Sequence, residues 1–524
     1  MKKILLAGPG TGKTTKVKKE FLSKIEDMSK VLVLSFTNAT IGDLRSSFEK
    51  SEIAITEKNC LTLHAYALRL SHQENLHVLN QREEFVVKKY AKLLEVDFGL
   101  YCEMLNCVTY GQMITNIVQF SATNPVYLDE IIGEIELLII DEFQDFNDSE
   151  QALIELISGR ATDTIILGDD DQCIYDFKDA NSTEIIRLHN DGEVENIEHE
   201  NICYRCPDPV VNACKNLLSK NKQRVTKDWN PNGVEGTVTF EQVSTFDETN
   251  QKVFELIQAT READPESTIL VLSPIKDAVE GLISKLTENA VDFVDFFNKG
   301  FDVDLYRKVW ALRLIYSDHK LLDFILLVEF SDLNNYQRGK FREMLRKHIG
   351  SGFTYDAIRP DMDNFLDTDL VSLLENPPDF ETLISTEGWE DIKEILDDIT
   401  GNTTAERLNK MSQHITPSTT FDPSAVNIMS IHKSKGLEAS HVFIVGMVDG
   451  VLPRKRDGVD SIESQRRLFF VGMSRAMKEL YLFATVKWDG SQIHKLEASK
   501  FTRTHPRSRV YNGQASPFIA ELGL

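Results

Sequence analysis

Short apolar runs followed by helical patterns recur in two separate blocks of the chain. They lie at residues 4–7, 31–35, 137–140 and 164–167 in the first block, and at 237–240, 269–272, 426–430, 442–445 and 480–483 in the second. Runs of this kind are typical of parallel strands that are buried on both faces. The pattern therefore predicts an α/β fold with two parallel sheets and helices on each side.

Two long stretches lack these recurring apolar runs. They are mostly polar and have helical periodicity. Insertions of this kind usually emerge from loops at one edge of a sheet. The predicted division is a first α/β domain at 1–70 and 126–203 with a helical insertion at 71–125, and a second α/β domain at 204–275 and 421–524 with a helical insertion at 276–420.

A length of 524 residues is too great for one ordinary core and suits several domains. No apolar run reaches about 18 residues, and no secretory leader is recognisable, so we expect a cytoplasmic protein without a membrane partner. The net charge of −24 argues against a polyanionic partner unless local basic segments hold it. Such segments occur at 338–348, 453–456 and 503–509.

Seven scattered cysteines do not suggest a disulfide framework. Cys203 and Cys206 form the one CxxC pair, which could be half of a zinc site or a redox pair. No second CxxC completes four ligands, and this disfavours a metal.

The first predicted strand leads into a glycine-rich turn that precedes a helical pattern. Glycines let backbone N–H groups curl around phosphate oxygens, and the start of a helix adds a favourable dipole. Ala7 stands where the strict pattern has Gly, which leaves an ordinary strand-to-helix turn as the alternative. The predicted nucleotide contacts are Gly8, Pro9, Gly10, Thr11, Gly12, Lys13, Thr14 and Thr15, with Lys13 on the outer phosphates and Thr14 on Mg²⁺.

Two adjacent carboxylates, Asp141 and Glu142, end the apolar run 137–140. Acidic residues at the carboxyl end of a parallel strand lie beside the phosphate loop of the same sheet. There Asp141 can hold Mg²⁺, and Glu142 can orient or deprotonate the attacking water. The alternative is an ordinary N-cap for the following helix.

In these two motifs the chain resembles the UvrD, PcrA and Rep group of superfamily 1 DNA helicases. Further segments resemble motifs of that family, in its order: 35–38, 61–66, 168–177, 204–205, 426–438, 465–476 and 516–522. The resemblance spans the whole chain. It implies two RecA-like motor domains, each with an insertion, and ATP-driven movement along single-stranded DNA from 3′ to 5′.

The resemblance also implies roles for single residues. Gln172 senses the γ-phosphate, Arg205 and Arg475 stabilise its transition state, Glu438 contacts the ribose, and Tyr204 stacks on the base. A surface salt bridge is the alternative for either arginine. The predicted contacts to single-stranded DNA are Phe36, Thr37, Asn38, His64, Tyr66, Tyr175 and Phe177, although isolated aromatics at such spacings are more often core residues.

The sequence departs from the family pattern at the base-binding end of the nucleotide site. No glutamine-containing segment precedes Lys2, and Thr15 stands where the family commonly has an Arg that sandwiches adenine. We therefore expect weak selectivity for the base. Lys178-Asp179-Ala180 replaces the family's Arg-Gly-Ala, and the insertions are shorter than in the repair helicases.

The leading hypothesis is an ATP- and Mg²⁺-dependent 3′–5′ translocase on single-stranded DNA that also opens 3′-tailed duplex. One alternative is a nucleic-acid-sensing ATPase that regulates a partner nuclease, similar to the UvrD-like subunit of the Gabija anti-phage system. Another is a phosphate-loop NTPase without a nucleic-acid substrate, which the aromatic motifs disfavour.

Overall fold

The computed structural model describes residues 1–524 except 72–76, 176–177, 181, 193, 299–301, 350–352, 398, 400, 402, 416–418, 455–460 and 495. The chain forms two compact units. Unit 1 contains residues 1–66, 118–299 and 419–524, and unit 2 contains 67–117 and 300–418.

The strands, in chain order, are β1 (Lys2–Leu6), β2 (Val31–Ser35), β3 (Cys60–Thr62), β4 (His77–Val78), β5 (Cys107–Val108), β6 (Ile135–Ile140), β7 (Ala161–Gly168), β8 (Glu195–Asn196), β9 (Thr237–Val243), β10 (Ile269–Ser273), β11 (Phe293–Asp295), β12 (Val426–Ser430), β13 (Ala439–Val445), β14 (Ala476–Thr485), β15 (Lys487–Asp489), β16 (Thr502–Arg503) and β17 (Val510–Asn512).

The α-helices are α1 (Lys13–Glu20), α2 (Asn38–Glu49), α3 (Leu63–Leu70), α4 (Gln81–Leu94), α5 (Phe98–Met104), α6 (Tyr110–Thr123), α7 (Tyr127–Ile131), α8 (Asp148–Ser158), α9 (Thr183–Asn190), α10 (Asp208–Leu218), α11 (Phe246–Ala263), α12 (Glu280–Glu288), α13 (Val303–Tyr316), α14 (Lys320–Glu329), α15 (Asn335–Ile349), α16 (Tyr355–Met362), α17 (Thr368–Glu375), α18 (Phe380–Ile384), α19 (Glu390–Asp397), α20 (Thr404–His414), α21 (Ile462–Met473), α22 (Gly490–Ile493) and α23 (Pro517–Glu521).

The first sheet of unit 1 has the order β3-β2-β6-β7-β1-β8, and all its pairs are parallel. Its central strands are apolar and buried on both faces, as β2 shows with five buried residues out of five. Because the strands are parallel, the segments after β1, β2, β3, β6 and β7 all begin at one edge of the sheet. Those segments carry most of the predicted site residues.

The second sheet of unit 1 has the order β11-β12-β10-β13-β14-β9, again entirely parallel. The predicted α/β fold with two parallel sheets is thus confirmed. Strand β11 falls within the stretch 276–420 that the sequence predicts as a helical insertion, yet it pairs with β12, and residues 276–299 belong to unit 1. A strand of three half-buried residues gives too short an apolar run to be recognised.

Unit 2 is mostly helical, and its two chain segments share one hydrophobic core. Side chains of α4, such as Val86 and Val87, pack there with those of α13 and α14, such as Trp310 and Phe324. The core also encloses charges. Arg313, which is fully buried, pairs with Glu83 at 3.1 Å and with Asp323 at 2.7 Å. Breaking such a pair leaves an uncompensated buried charge, so this cluster joins the two segments firmly.

The basic segment 338–348 lies on α15 and is used largely within unit 2. Arg338, Arg342 and Arg346 donate to backbone carbonyls, and Lys347 and His348 pair with Asp361. Within the described residues, none of the helices combines the length and the apolar character needed to cross a bilayer.

Candidate nucleotide site and nucleic-acid interface

The phosphate loop follows β1 and leads into α1. Gly10 and Gly12 adopt positive φ angles of 69° and 84°, which side-chain-bearing residues rarely adopt. A Cβ on Gly10 would also lie 2.5 Å from the Cβ of Arg205. The Lys13 ammonium donates to the carbonyls of Ala7 at 2.8 Å and Gly8 at 3.2 Å, so it lies over the mouth of the loop.

A cavity of about 1080 Å³ lies against this loop. Thr15 and Lys16 line it from α1, and His199 and Tyr204 line it from the segment that follows β8. Tyr204 is 60% exposed, which leaves its ring available for stacking. The predicted residues Gly10, Thr11, Gly12, Thr15 and Tyr204 therefore share the lining of one cavity.

His199 is a cavity residue that the sequence did not single out. Its Nε2 atom lies 2.9 Å from the backbone carbonyl of Thr11, and burial lowers the pKa of its imidazole. The neutral ring can donate one hydrogen bond, and the Thr11 carbonyl accepts it. This contact fixes the phosphate loop against the segment after β8.

Asp141 and Glu142 follow β6 at the same edge of the sheet. Burial and the neighbouring Glu142 charge raise the pKa of Asp141 to about 7. Burial also opposes the charge of Glu142, but Lys435, Lys13 and a hydrogen bond from Gln144 outweigh it and lower its pKa. Glu142 is thus held ionised near neutral pH, while Asp141 can accept a cation or a proton.

Gln172 and Arg475 meet in the interior of unit 1. Arg475 is 1% exposed, and its guanidinium donates to the Gln172 side-chain oxygen at 3.3 Å and to the carbonyls of Val471 and Leu437. Burial and then Arg205 lower the pKa of Arg475 to about 10, so it stays charged at neutral pH. Arg205 in turn pairs with Glu438 at 2.6 Å. Gln172, Arg205, Glu438 and Arg475 are therefore close together.

Lys435 is a second residue that sequence reasoning did not single out, although it lies inside the segment 426–438. Its buried ammonium donates to Asp145 at 2.6 Å and to the Gln172 carbonyl at 2.8 Å. Burial opposes its charge, but Asp145 and Glu142 outweigh burial and raise the pKa of Lys435. A lysine after β12 of the second sheet thereby reaches the carboxylates that follow β6 of the first.

Asp169, Asp170 and Asp171 form the one group with metal-ligand spacing among the residues that the structure describes. The Lys227 ammonium lies within ion-pair distance of all three, and Arg224 donates to both carboxylate oxygens of Asp171. Two cations thus compensate the cluster without a metal.

The cysteine pair does not belong to such a group. Cys203 and Cys206 are buried, and their thiols donate to the carbonyls of Pro9 and Ser474. The zinc interpretation of this CxxC pair gains no third ligand from the described part of the chain.

Two of the predicted DNA contacts, Phe36 and Tyr175, lie next to each other. The Phe36 and Tyr175 rings lie 5.2 Å apart, and the Lys178 ammonium lies 5.2 Å and 5.4 Å from their centroids. Thr37 caps α2 by accepting from the N–H of Thr40, and Asn38 begins that helix.

The structure gives three further predicted DNA contacts different surroundings or does not describe them. His64 pairs with Glu150 at 3.0 Å, which gives its ring a structural partner. Tyr66 lies on α3 and is half-buried. Phe177 lies outside the described residues.

Comparison with known proteins adds an independent observation. The UvrD/REP helicase N-terminal domain matches residues 2–97 and 91–193, and the UvrD-like helicase C-terminal domain matches residues 368–487. The chain belongs to the UvrD/Rep-type helicases. Its two parallel sheets are accordingly those of RecA-like motor domains, and it is an ATP-hydrolysing enzyme of this family.

Relatives of this UvrD/Rep-type helicase align over most of its length. The ATP-dependent DNA helicase PcrA of Leuconostoc citreum is 21% identical, covering 91% of this chain and 79% of the relative. The ATP-dependent DNA helicase Rep of Buchnera aphidicola is 23% identical, with 83% and 77% covered. DNA helicase II of Escherichia coli is 24% identical, with 73% and 60% covered.

Proposed function

We propose that this helicase moves from 3′ to 5′ along single-stranded DNA and opens 3′-tailed duplex, using ATP and Mg²⁺. The observation that carries the proposal is the position of Lys435. Its ammonium contacts Asp145 and the Gln172 carbonyl and lies 5.5 Å from the centroid of the Tyr175 ring. One side chain of the second motor domain thus touches both the nucleotide site and the proposed DNA track.

In this proposal the phosphates of ATP occupy the loop from Gly8 to Thr14. Its backbone N–H groups and the start of α1 favour negative charge there. The Lys13 ammonium exchanges its carbonyl partners for the outer phosphate oxygens. The base enters the adjoining cavity and stacks on Tyr204, and Glu438 contacts the ribose.

The donor set of Thr14 and Asp141 fits Mg²⁺, because a hydroxyl and a carboxylate are hard oxygen ligands. Burial and Glu142 raise the pKa of Asp141 to about 7, and a nearby dication would lower it again and keep the carboxylate ionised. When bound, Mg²⁺ neutralises charge on the β- and γ-phosphates.

Hydrolysis follows from the groups around the γ-phosphate. Glu142 takes a proton from water as the water oxygen attacks the γ-phosphorus, and ADP leaves with the bridging oxygen. Gln172 senses the γ-phosphate, and Arg205 and Arg475 stabilise its developing charge. Because both arginines come from the second motor domain, hydrolysis depends on how the two motor domains are placed.

The DNA track is proposed to use Phe36 and Tyr175 as a stacking platform, with Lys178 contributing positive charge. Stacking on aromatic faces tolerates any base sequence, as translocation requires. Tyr175 donates to the carbonyl of His432 at 3.5 Å, which places this ring against the segment that holds Lys435. A change at the nucleotide site can therefore reach the track through one packed contact.

Translocation along oligonucleotides of increasing length tests this proposal. With a fluorophore at the 5′ end, the lag before the signal should grow with length in the presence of ATP. With the fluorophore at the 3′ end, the signal should decay without such a lag. The opposite pattern would contradict the direction, and no length dependence at either end would contradict translocation.

A further inference from the structure

The side-chain amide of Gln172 is held by one hydrogen bond at each end. Its nitrogen donates to the Asp169 carboxylate at 2.8 Å, and its oxygen accepts from the Arg475 guanidinium at 3.3 Å. If the amide turned over, its NH₂ group would face the guanidinium, and two donors would then meet. The Asp169 carboxylate therefore determines which end of the Gln172 amide faces Arg475.

The Asp169 carboxylate lies in a run of three buried acids. Asp169, Asp170 and Asp171 are each at most 1% exposed. Like charges at this spacing repel one another, and burial without a partner cation would be costly. The Lys227 ammonium lies 2.9 Å from Asp169 and 2.8 Å from Asp171, and it also pairs with Asp170. Within the described part of the chain, Lys227 is the one cation that makes an ion pair with Asp169.

Lys227 is charged although it is buried. Burial opposes the charge of the ammonium, but Asp169, Asp171 and Asp170 outweigh burial and raise the pKa of Lys227. Arg224, the second cation of the cluster, donates to both carboxylate oxygens of Asp171 instead. The two cations thus have different partners in the cluster.

Lys227 reaches the cluster from another part of the fold. It lies on the chain between α10 and β9 of the second sheet, whereas Asp169 follows β7 of the first. Two residues later, the Trp229 indole donates to the Pro9 carbonyl at 3.0 Å, and a Cβ on Gly8 would lie 2.4 Å from its ring. The segment that carries Lys227 is therefore packed against the phosphate loop.

We propose that Lys227 is a positioning residue for ATP hydrolysis, which acts through Asp169 on Gln172. The inference rests on the proposed function, because that function assigns Gln172 to the γ-phosphate. The ammonium holds the Asp169 carboxylate in place as an ionised acceptor, and this acceptor directs the Gln172 oxygen towards Arg475. Without the ammonium, the three carboxylates repel one another and the amide loses its fixed orientation. Gln172 is thus oriented only while the segment with Lys227 lies against the end of β7.

The test measures ATP hydrolysis by variants of the full chain with saturating single-stranded DNA. Lys227→Met removes the charge and keeps a long side chain. The matched control is Arg224→Met, which removes a cation of the same cluster whose partner is Asp171 at 2.7 Å. The main chain at Asp169 is fixed separately, since its N–H donates to the Gln144 side-chain oxygen at 3.0 Å. Thermal unfolding verifies that each variant folds.

Lys227→Met should lower kcat by roughly 10- to 100-fold, because a misplaced group near the reacting atoms costs that much. The KM for ATP should stay within about threefold, since the phosphate loop is unchanged. Arg224→Met should keep kcat within about twofold of the wild type. An unchanged kcat in Lys227→Met, a change confined to KM, or equal losses in both variants would overturn the inference.

A double-mutant cycle tests whether Lys227 acts through Gln172. Gln172→Ala alone should lower kcat, and adding Lys227→Met should lower it no further, because the two residues share one route. Losses that multiply would overturn the inference. A Gln172→Ala variant with the wild-type rate would instead contradict the role of Gln172 in the proposed function.

Because Lys227→Met leaves buried carboxylates unpaired, it is also made together with Asp170→Asn and Asp171→Asn. This background removes two of the buried charges and keeps Asp169. The loss of kcat on adding Lys227→Met to it should equal the loss in the wild-type background. If Lys227→Met unfolds the protein in both backgrounds, the ammonium serves the fold and the inference is overturned.

Discussion

The guanidinium of Arg475 lies 3.3 Å from the side-chain oxygen of Gln172. Arg475 comes just before β14 of the second sheet, and Gln172 follows β7 of the first. The contact therefore joins the two motor domains at the proposed nucleotide site. In the proposed mechanism it links the presence of a γ-phosphate to the relative placement of those domains.

Substituting Lys13 or Glu142 should abolish ATP hydrolysis, and the physical reason differs between the two residues. Lys13→Ala removes a cation from the phosphate loop, so both ATP binding and hydrolysis should be lost. Glu142→Gln removes the base but leaves the loop intact, so ATP binding should persist while hydrolysis falls by at least about a hundredfold. Binding of a fluorescent ATP analogue and steady-state phosphate release measure the two effects. Turnover near the wild-type rate in either variant would refute the site assignment.

Phe36→Ala should weaken the binding of single-stranded DNA. The loss of binding free energy should equal that of one stacked base, roughly 1–3 kcal/mol. Hydrolysis without DNA should change little, because Phe36 contacts the Tyr175 and Phe146 rings rather than the phosphate loop. Phe36→Tyr, which keeps a stacking face, is the matched control. Equilibrium titration with a labelled oligonucleotide provides the measurement. Unchanged affinity in Phe36→Ala would mean that this ring is a core residue.

GTP should inhibit ATP hydrolysis competitively. Its inhibition constant should lie within about tenfold of the dissociation constant of ATP. Thr15 lines the base-side cavity with a short side chain that cannot stack on a purine ring. Selectivity comes from groups committed to the base edge, and a site with few of them loses little by binding the wrong base. Thr15→Arg should increase the preference for ATP. Strong rejection of GTP by the wild type would show that other cavity residues read the base.

Unit 2 should be destabilised in acid through Glu83. Burial opposes the charge of Glu83, but His77 and Arg313 outweigh it and lower its pKa to about 2. A carboxylate with a lowered pKa stabilises the fold fully above its unfolded value near pH 4.5. That stabilisation is lost as the pH falls towards 2 and amounts to roughly 3 kcal/mol.

Thermal unfolding between pH 2 and pH 7 measures this effect. Glu83→Gln should lower the melting temperature above pH 4.5, and its difference from the wild type should shrink as the pH falls towards 2. Glu84→Gln on the same helix removes only a surface pair with Lys88 and should cost less than about 1 kcal/mol. Parallel pH profiles for Glu83→Gln and the wild type would show that the buried cluster does not depend on this charge.

Long apolar strands were predictable from the sequence because both their faces are buried. β1, β2 and β10 appear as apolar runs, and the runs identify two parallel sheets. The short edge strands β8 and β11 could not be found in this way, since two or three residues give no detectable pattern. For the same reason residues 276–299, which belong to unit 1, fall within the insertion predicted at 276–420.

Contacts between segments that are distant along the chain could not be predicted from the sequence. Lys435 lies in a recognisable motif, but its partners Asp145 and Gln172 are set by how the two sheets pack. His199 has no motif signal at all, since only the pairing of β8 with β1 brings it to the phosphate loop.

Unwinding of tailed duplexes tests the central claim most directly. With ATP and Mg²⁺, the wild type should open a duplex with a 3′ single-stranded tail and leave a 5′-tailed duplex intact. Arg475→Ala should open neither, because its guanidinium completes the phosphate site from the second motor domain, while Lys13 and the DNA track stay in place. If the wild type hydrolyses ATP with DNA present, opens neither substrate and does not translocate, the motor account is contradicted. An ATPase that regulates a partner nuclease would then explain the chain better.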